Sequence, residues 1–171
     1  RIKKKWQPRK DEGFIDYITS LEDAPVHTGD WLILARTNDR LDKIKPILKD
    51  MGIYFQFKDR KSYKASLFRS ITNYTRWADK RDKLSLTEIK DIFNCIPCHD
   101  FGVKEERLYD LKEFGFSNTE RWFDVFNVDP EECLYIREML RHKEDLSLNA
   151  RVKLSTIHSA KGGEAKNVLL I

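Results

Sequence analysis

The residues best suited to chemistry form one run near the end of the chain: Val152-Lys153-Leu154-Ser155-Thr156-Ile157-His158-Ser159-Ala160-Lys161-Gly162-Gly163-Glu164. A strand-like start gives way to hydroxyls, an imidazole, an amine, two glycines and a carboxylate. Ligands of open α/β sheets bind outside the carboxyl ends of strands, so a loop of this composition is placed to take one. Thr156, Ser159 and Lys161 are residue types that bind phosphate oxygens. Gly162-Gly163 lets the backbone approach a ligand closely. Glu164 is an acceptor suited to a ribose hydroxyl. On residue types alone the run reads as a phosphate or nucleic-acid loop. A plain strand-to-helix connection is the competing reading.

A second constellation is Cys95-Ile96-Pro97-Cys98-His99. It fits the C-x-x-C-H pattern of haem attachment. With Cys133 it would also supply three thiolates and one imidazole, a permissible zinc set. Against haem stands the absence of an export signal. Against zinc stand the long gap from His99 to Cys133 and the lack of a second C-x-x-C. The preferred reading is thiols beside a proline turn, with no metal ligand assigned. Three cysteines are too few and too odd in number for a disulfide scaffold. His27 and His142 read as isolated surface residues.

The elements that must position these groups come from hydrophobic periodicity. Trp31-Leu32-Ile33-Leu34-Ala35 is a continuous apolar run after the turn residues Thr28-Gly29-Asp30, as in a buried parallel strand. Leu41, Ile44, Ile47, Leu48 and Met51 mark one face of a helix over Asp39 to Met51, and Gly52 is its stop. Pro46 predicts a kink or a late start. Ile53 to Phe57, Val152 to Thr156 and Val168 to Ile171 read as further strands, the last one buried. Gly13 to Leu21 is β-rich and reads as a strand. Between the strands the chain reads mostly helical: Leu67 to Trp77, Leu86 to Phe93, Glu105 to Phe114, Glu120 to Phe126 and Glu131 to His142. Asp129-Pro130-Glu131-Glu132 opens the last helix with an N-cap, a proline at N1 and acids in the first turn. The order implies an α/β domain made from both ends of the chain, with a helical insertion between them.

Composition agrees with a folded chain. The 171 residues are 40% hydrophobic, 12% aromatic and 35% charged, with a net charge of +4. No run of about 18 apolar residues occurs, so no membrane span is expected. Arg1 to Lys10 is basic but lacks the apolar core of a signal peptide. A cytoplasmic protein is the expectation. The chain lacks an initiator Met and stops within an apolar run, so both ends read as cut from something longer. The charge is uneven: residues 1–10 carry +6, 11–57 carry −4, 58–90 carry +6, 91–150 carry −7 and 151–171 carry +3. Residues 58–90 interleave basic groups with Tyr63, Phe68, Tyr74 and Trp77, which suits contact with a nucleic-acid backbone. Phe68 and Trp77 nevertheless fall on helical spacing with Leu67, Ile71 and Tyr74, which favours core packing.

Thr156-Ile157-His158-Ser159-Ala160-Lys161-Gly162-x-Glu164 resembles motif V of superfamily 1 DNA helicases of the UvrD/Rep type. Leu32-Ile33-Leu34-Ala35-Arg36-Thr37-Asn38, with the following helix and Gly52-Ile53-Tyr54, resembles motif IV and its succeeding helix and strand. The motifs occur in the family's order, and the family inserts a helical subdomain between them. The resemblance is motif-specific at 31–57 and 151–171; across the middle it rests on position and helical character.

It implies a partial RecA-like parallel-sheet lobe of the P-loop NTPase class. Residues 1–57 would be its first part, 58–150 the inserted helical subdomain, and 151–171 the return to the lobe. The implied activity is ATP-dependent translocation on single-stranded DNA and unwinding of duplex DNA. Arg36 stands where the family places an arginine on the ATP γ-phosphate, where it stabilises charge developing in phosphoryl transfer. Glu164 matches a carboxylate that bonds the nucleotide ribose. Lys161 and Gly162 lie at the junction of nucleotide and DNA. Thr156, His158 and Ser159 match the DNA-contacting stretch. ATP with Mg2+ would be held mainly by another RecA-like domain, since no G-x-x-x-x-G-K-[ST] occurs here and the chain alone should not hydrolyse ATP. Two departures stand out. Ala35 occupies a position that is often aromatic and stacks on adenine, and Gly163 replaces a common Leu. A non-catalytic nucleic-acid-binding module of the same fold is the alternative function.

Overall fold

The computed structural model describes residues 13–97, 102–144, 146, 148–161 and 164–171. In chain order its elements are β1 (Trp31–Ala35), α1 (Asn38–Asp50), β2 (Phe55–Phe57), β3 (Arg60–Lys61), α2 (Ala65–Lys80), α3 (Leu86–Phe93), α4 (Trp122–Val125), α5 (Pro130–Arg141), β4 (Val152–Thr156) and β5 (Asn167–Leu170). The fold is mixed α/β. One five-stranded sheet has the order β3-β2-β4-β1-β5. β4 lies parallel between β1 and β2, β5 runs parallel to β1, and only the β2–β3 hairpin is antiparallel. Strands from distant parts of the sequence therefore meet at the centre of the sheet.

The two faces of this sheet differ. Ile33, Ala35, Phe55, Val152 and Leu154 are buried in one cluster with Leu41, Ile44 and Leu48 of α1. Those three helix residues recur at the i, i+3, i+7 spacing of one face. Register puts Leu32, Lys153 and Val168 abreast, and Leu34, Ser155 and Leu170 abreast, on the opposite face. There Val168 is 55% and Leu170 67% exposed. The final strand is thus a half-exposed edge rather than the buried strand expected from its apolar sequence, because no described element packs on that face.

Helix α1 ends in a Schellman motif. The Ile53 N–H donates to the Leu48 carbonyl and the Gly52 N–H to the Lys49 carbonyl, both at 2.9 Å. Gly52 takes φ +65°, a conformation that glycine adopts without strain. Pro46 does not delay the helix, which starts at Asn38. Burial of Leu41, Ile44 and Leu48 outweighs the lost backbone bond.

The helical block has its own core, built on Ile71, Tyr74, Trp77, Leu84, Ile89, Ile92, Leu111, Tyr135, Ile136 and Met139. Trp77 is 1% exposed, and Phe68 packs on this core from its edge. α3 begins with a capping box between Ser85 and Glu88. α5 begins at Pro130 with the Asp129 carboxylate accepting from the Glu131 and Glu132 N–H groups, as the sequence predicts.

Several expectations fail. No strand forms over Gly13 to Leu21. Phe14, Ile15 and Tyr17 are strongly exposed, and the first regular turn is Leu21–Asp23. β-rich composition needs a partner strand, and none of the described strands pairs with it. The helix expected over Glu105 to Phe114 is instead an irregular segment with a turn of 3₁₀ helix at Leu111–Phe114. Tyr109 exchanges backbone hydrogen bonds with Leu84, both at 2.8 Å, which diverts the chain from helix. The segment over Glu120 to Phe126 keeps only the short α4. β2 starts at Phe55, two residues late, and β3 has no sequence signal because its turn, Lys58-Asp59, contains no glycine. That hairpin straddles positions 57 and 58, so the sheet extends to Lys61.

The two cores meet along α5. The Tyr135 hydroxyl donates to the Ile53 carbonyl at 2.7 Å, and Lys49 pairs with Glu132 at 3.0 Å. Arg151 pairs with Glu144 and donates to the Gly29 carbonyl. His27 and His142 are exposed but not isolated: their rings meet edge to face at 5.0 Å across this junction. No described helix is long and apolar enough to cross a membrane.

Candidate functional site

β1 and β4 end side by side, with Ala35 opposite Thr156, and the Ile157 N–H donates to the Ala35 carbonyl at 3.0 Å. The sheet therefore brings Arg36 to the same edge as the loop that starts at Thr156. The local fold of that loop follows from its hydroxyls. Thr156 Oγ1 accepts from the Ser159 N–H at 3.2 Å and donates to Ser159 Oγ at 2.9 Å. The Ala160 N–H donates to the Thr156 carbonyl at 2.9 Å. A threonine at the strand end thus closes a tight turn that presents His158, Ser159 and Lys161 to solvent.

A cleft of about 540 Å³ opens against this turn. Thr156, Ser159 and Glu164 line it, with Asn38, Gln56, Lys58, Asn149 and Lys153. Arg36, His158 and Lys161 are exposed beside the cleft rather than in its wall. Gly162 and Gly163 lie outside the described residues. Arg36 makes no ion pair among the described residues, so its guanidinium is available to an anion. Ala35 is fully buried beneath the strand end and offers no ring to a base.

No family model, curated protein or solved structure matches the chain.

Sequence alone gave no role here to Asn38, Gln56, Asp59, Asn149, Lys153 and Ser155 of the wall, and marked Lys58 only as one of the basic groups of residues 58–90. Gln56 carried a signal: it is the polar residue in the apolar run Tyr54-Phe55-Gln56-Phe57, and its register with Lys153 puts it on the open sheet face. Asn38 also carried one, since it follows Arg36 at the strand end and starts α1. Asp59 and Asn149 carried none, because only the tertiary fold brings their loops to β4. The wall combines two ammonium groups, two carboxylates (Asp59 and Glu164), three carboxamides and three hydroxyls. Such a surface offers hydrogen-bond donors and acceptors to a polar ligand, with its formal charges in balance.

Among the described residues no group of three or more His, Cys, Asp or Glu could hold a metal ion. Cys98 and His99 lie outside them. Cys133 is half-buried, and burial pushes its thiol pKa up, away from the thiolate that zinc needs.

Proposed function

We propose that this chain is part of an ATP-dependent DNA helicase of the UvrD/Rep-like kind, supplying a RecA-like lobe and an inserted helical subdomain. One observation carries the reading. The two segments that resemble motifs IV and V lie far apart in sequence, yet they end on adjacent parallel strands, with Arg36 and Thr156 at one sheet edge. The residues between them bury a separate core. ATP would meet this edge from another RecA-like domain. Its hydrolysis would supply the energy for stepping along DNA.

Within this chain the expected roles are divided. Arg36, which makes no ion pair among the described residues, offers its guanidinium to a phosphoryl group, as phosphoryl transfer requires. Glu164 lies on the cleft wall, where it can accept from a ribose hydroxyl. Lys161 and Gly162 belong to the segment between nucleotide and DNA. Thr156, His158 and Ser159 form the turn that faces a single DNA strand. Thr156 acts largely through geometry, because its hydroxyl already holds Ser159.

The test is Arg36→Ala in the whole protein, with ATPase rate and single-strand binding measured together. The expected result is an ATPase rate lowered by about 10³ or more, the scale of an arginine acting on transferring phosphoryl, with DNA binding within twofold. An unchanged ATPase rate would overturn the assignment.

A further inference from the structure

A second cleft lies beyond the β2–β3 hairpin. It also holds about 540 Å³, and five of its eight lining residues are cationic: Lys45, Lys49, Lys58, Arg60 and Lys61. Among the described residues no carboxylate lines it. Two of the cations are partly neutralised from outside it, Lys45 by Asp42 at 2.6 Å and Lys49 by Glu132 at 3.0 Å. Lys58, Arg60 and Lys61 make no ion pair among the described residues. Lys61 is held in place, with Nζ donating to the Leu146 carbonyl at 3.1 Å. Phe57 forms the floor, with Lys45 Nζ 3.8 Å and Lys58 Nζ 5.0 Å from its ring centroid. The groove thus gathers positive charge that the fold does not itself use up.

The hairpin that divides the two clefts is strained. Phe57 pairs with Arg60, leaving Lys58-Asp59 as a two-residue turn. Both residues take positive φ, +49° and +60°. That turn geometry favours Asn-Gly or Gly-Gly, and a lysine at its first position is unfavourable. Strained backbone of this kind clusters where side chains must be presented to a ligand. Here the strain keeps a long cation at the tip. Lys58 and Phe57 line both this groove and the cleft beside Thr156.

We infer that the groove between α1 and the β2–β3 hairpin binds the phosphodiester backbone of a nucleic-acid strand, continuing the path from the Thr156 turn across Lys58. The path rests on the DNA-binding reading above. Lysine-rich, carboxylate-free walls suit successive phosphates, with ammonium groups acting as point charges. An acidic protein segment is the competing occupant, and the experiment separates the two.

The experiment uses the 171-residue chain and fluorescein-labelled oligo-dT of graded length, followed by anisotropy at several NaCl concentrations. In the wild type, affinity should rise with length and then level off. The double variant Lys58→Glu, Arg60→Glu changes two exposed side chains, and circular dichroism with thermal melting checks its fold. It should level off at shorter length, lose at least tenfold in affinity for long oligonucleotides, and flatten the log K against log salt slope by about 1.4, which is two single-strand contacts. Asp59→Gly keeps every cation and should bind at least as tightly as wild type. Unchanged length dependence and slope in the double variant, with Thr156→Ala still weakening binding, would overturn the groove alone. Absence of oligonucleotide binding by the wild type would overturn both readings. Poly-glutamate competing as well as oligo-dT of equal charge would overturn the nucleic-acid assignment.

Discussion

Gly52→Ala tests the point where the sheet lobe and the helical block touch. Gly52 sits at φ +65°, and a Cβ there would lie 2.8 Å from Glu138 Cβ, 3.2 Å from the Glu138 carbonyl carbon and 3.2 Å from His142 Nδ1. The left-handed conformation costs alanine about 1–2 kcal/mol. Overpacking against α5 adds about 1–3 kcal/mol, since the nearest atoms belong to its backbone and to a Cβ that cannot swing away. Restricting the unfolded chain returns about 0.4–1 kcal/mol. The net loss is about 1–5 kcal/mol, which for a chain of this length lowers Tm by roughly 2–20 °C. Equilibrium urea unfolding, with tryptophan fluorescence and far-ultraviolet circular dichroism as two probes, measures it. Gly115→Ala is the control. Gly115 has φ +87° but open space where its Cβ would stand, so it should lose about 1 kcal/mol from strain alone. A Gly52→Ala variant no less stable than Gly115→Ala would refute the close contact between Gly52 and α5.

Two further outcomes follow from side chains of the helical core. In Tyr135→Phe the Ile53 carbonyl loses its 2.7 Å donor and the Ser62 hydroxyl its 2.6 Å partner, so stability should fall by about 1–3 kcal/mol in urea unfolding, and a loss below about 0.5 kcal/mol would contradict the bond. The Asp110 carboxylate accepts from the Lys112 N–H and from Trp77 Nε1, which holds its pKa below the ordinary 3.8. A depressed folded pKa means that this stabilisation is complete above 3.8 and is lost as pH falls from there through the folded value. Wild type should therefore lose stability faster than Asp110→Asn in that acid range, and parallel pH profiles would refute the coupling.

Much of the sheet was legible because its strands carry their own pattern. Trp31–Ala35 and Val152–Thr156 coincide with apolar or alternating runs bounded by turn residues. Leu86–Phe93 was legible from its helical pattern, and Pro130–Arg141 was marked by its Asp129 cap, which acts locally and can be read locally. What escaped depends on partners. Tyr109 leaves the helix it could have joined because Leu84 offers it a bridge. Phe14 to Ile18 has strand composition but no neighbour. Val168 and Leu170 look like core residues yet lie on a sheet face that no described element covers. At the candidate site, the Thr156 run was visible as a cluster of functional groups. Lys58 was visible only as one of the basic groups of residues 58–90; its meeting with Thr156 depends on β2 pairing with β4.

Ile53 and Tyr54 are consecutive, yet Ile53 is buried with the sheet and Tyr54 with the helices. One peptide link therefore joins two cores. A twist of that link withdraws both residues together. The lobe and the block cannot loosen independently there: hydrogen exchange at Ile53, Tyr54 and Phe55 should register opening of either core, and a rotation of the helical block would be transmitted directly into β2 and onward to its neighbour β4.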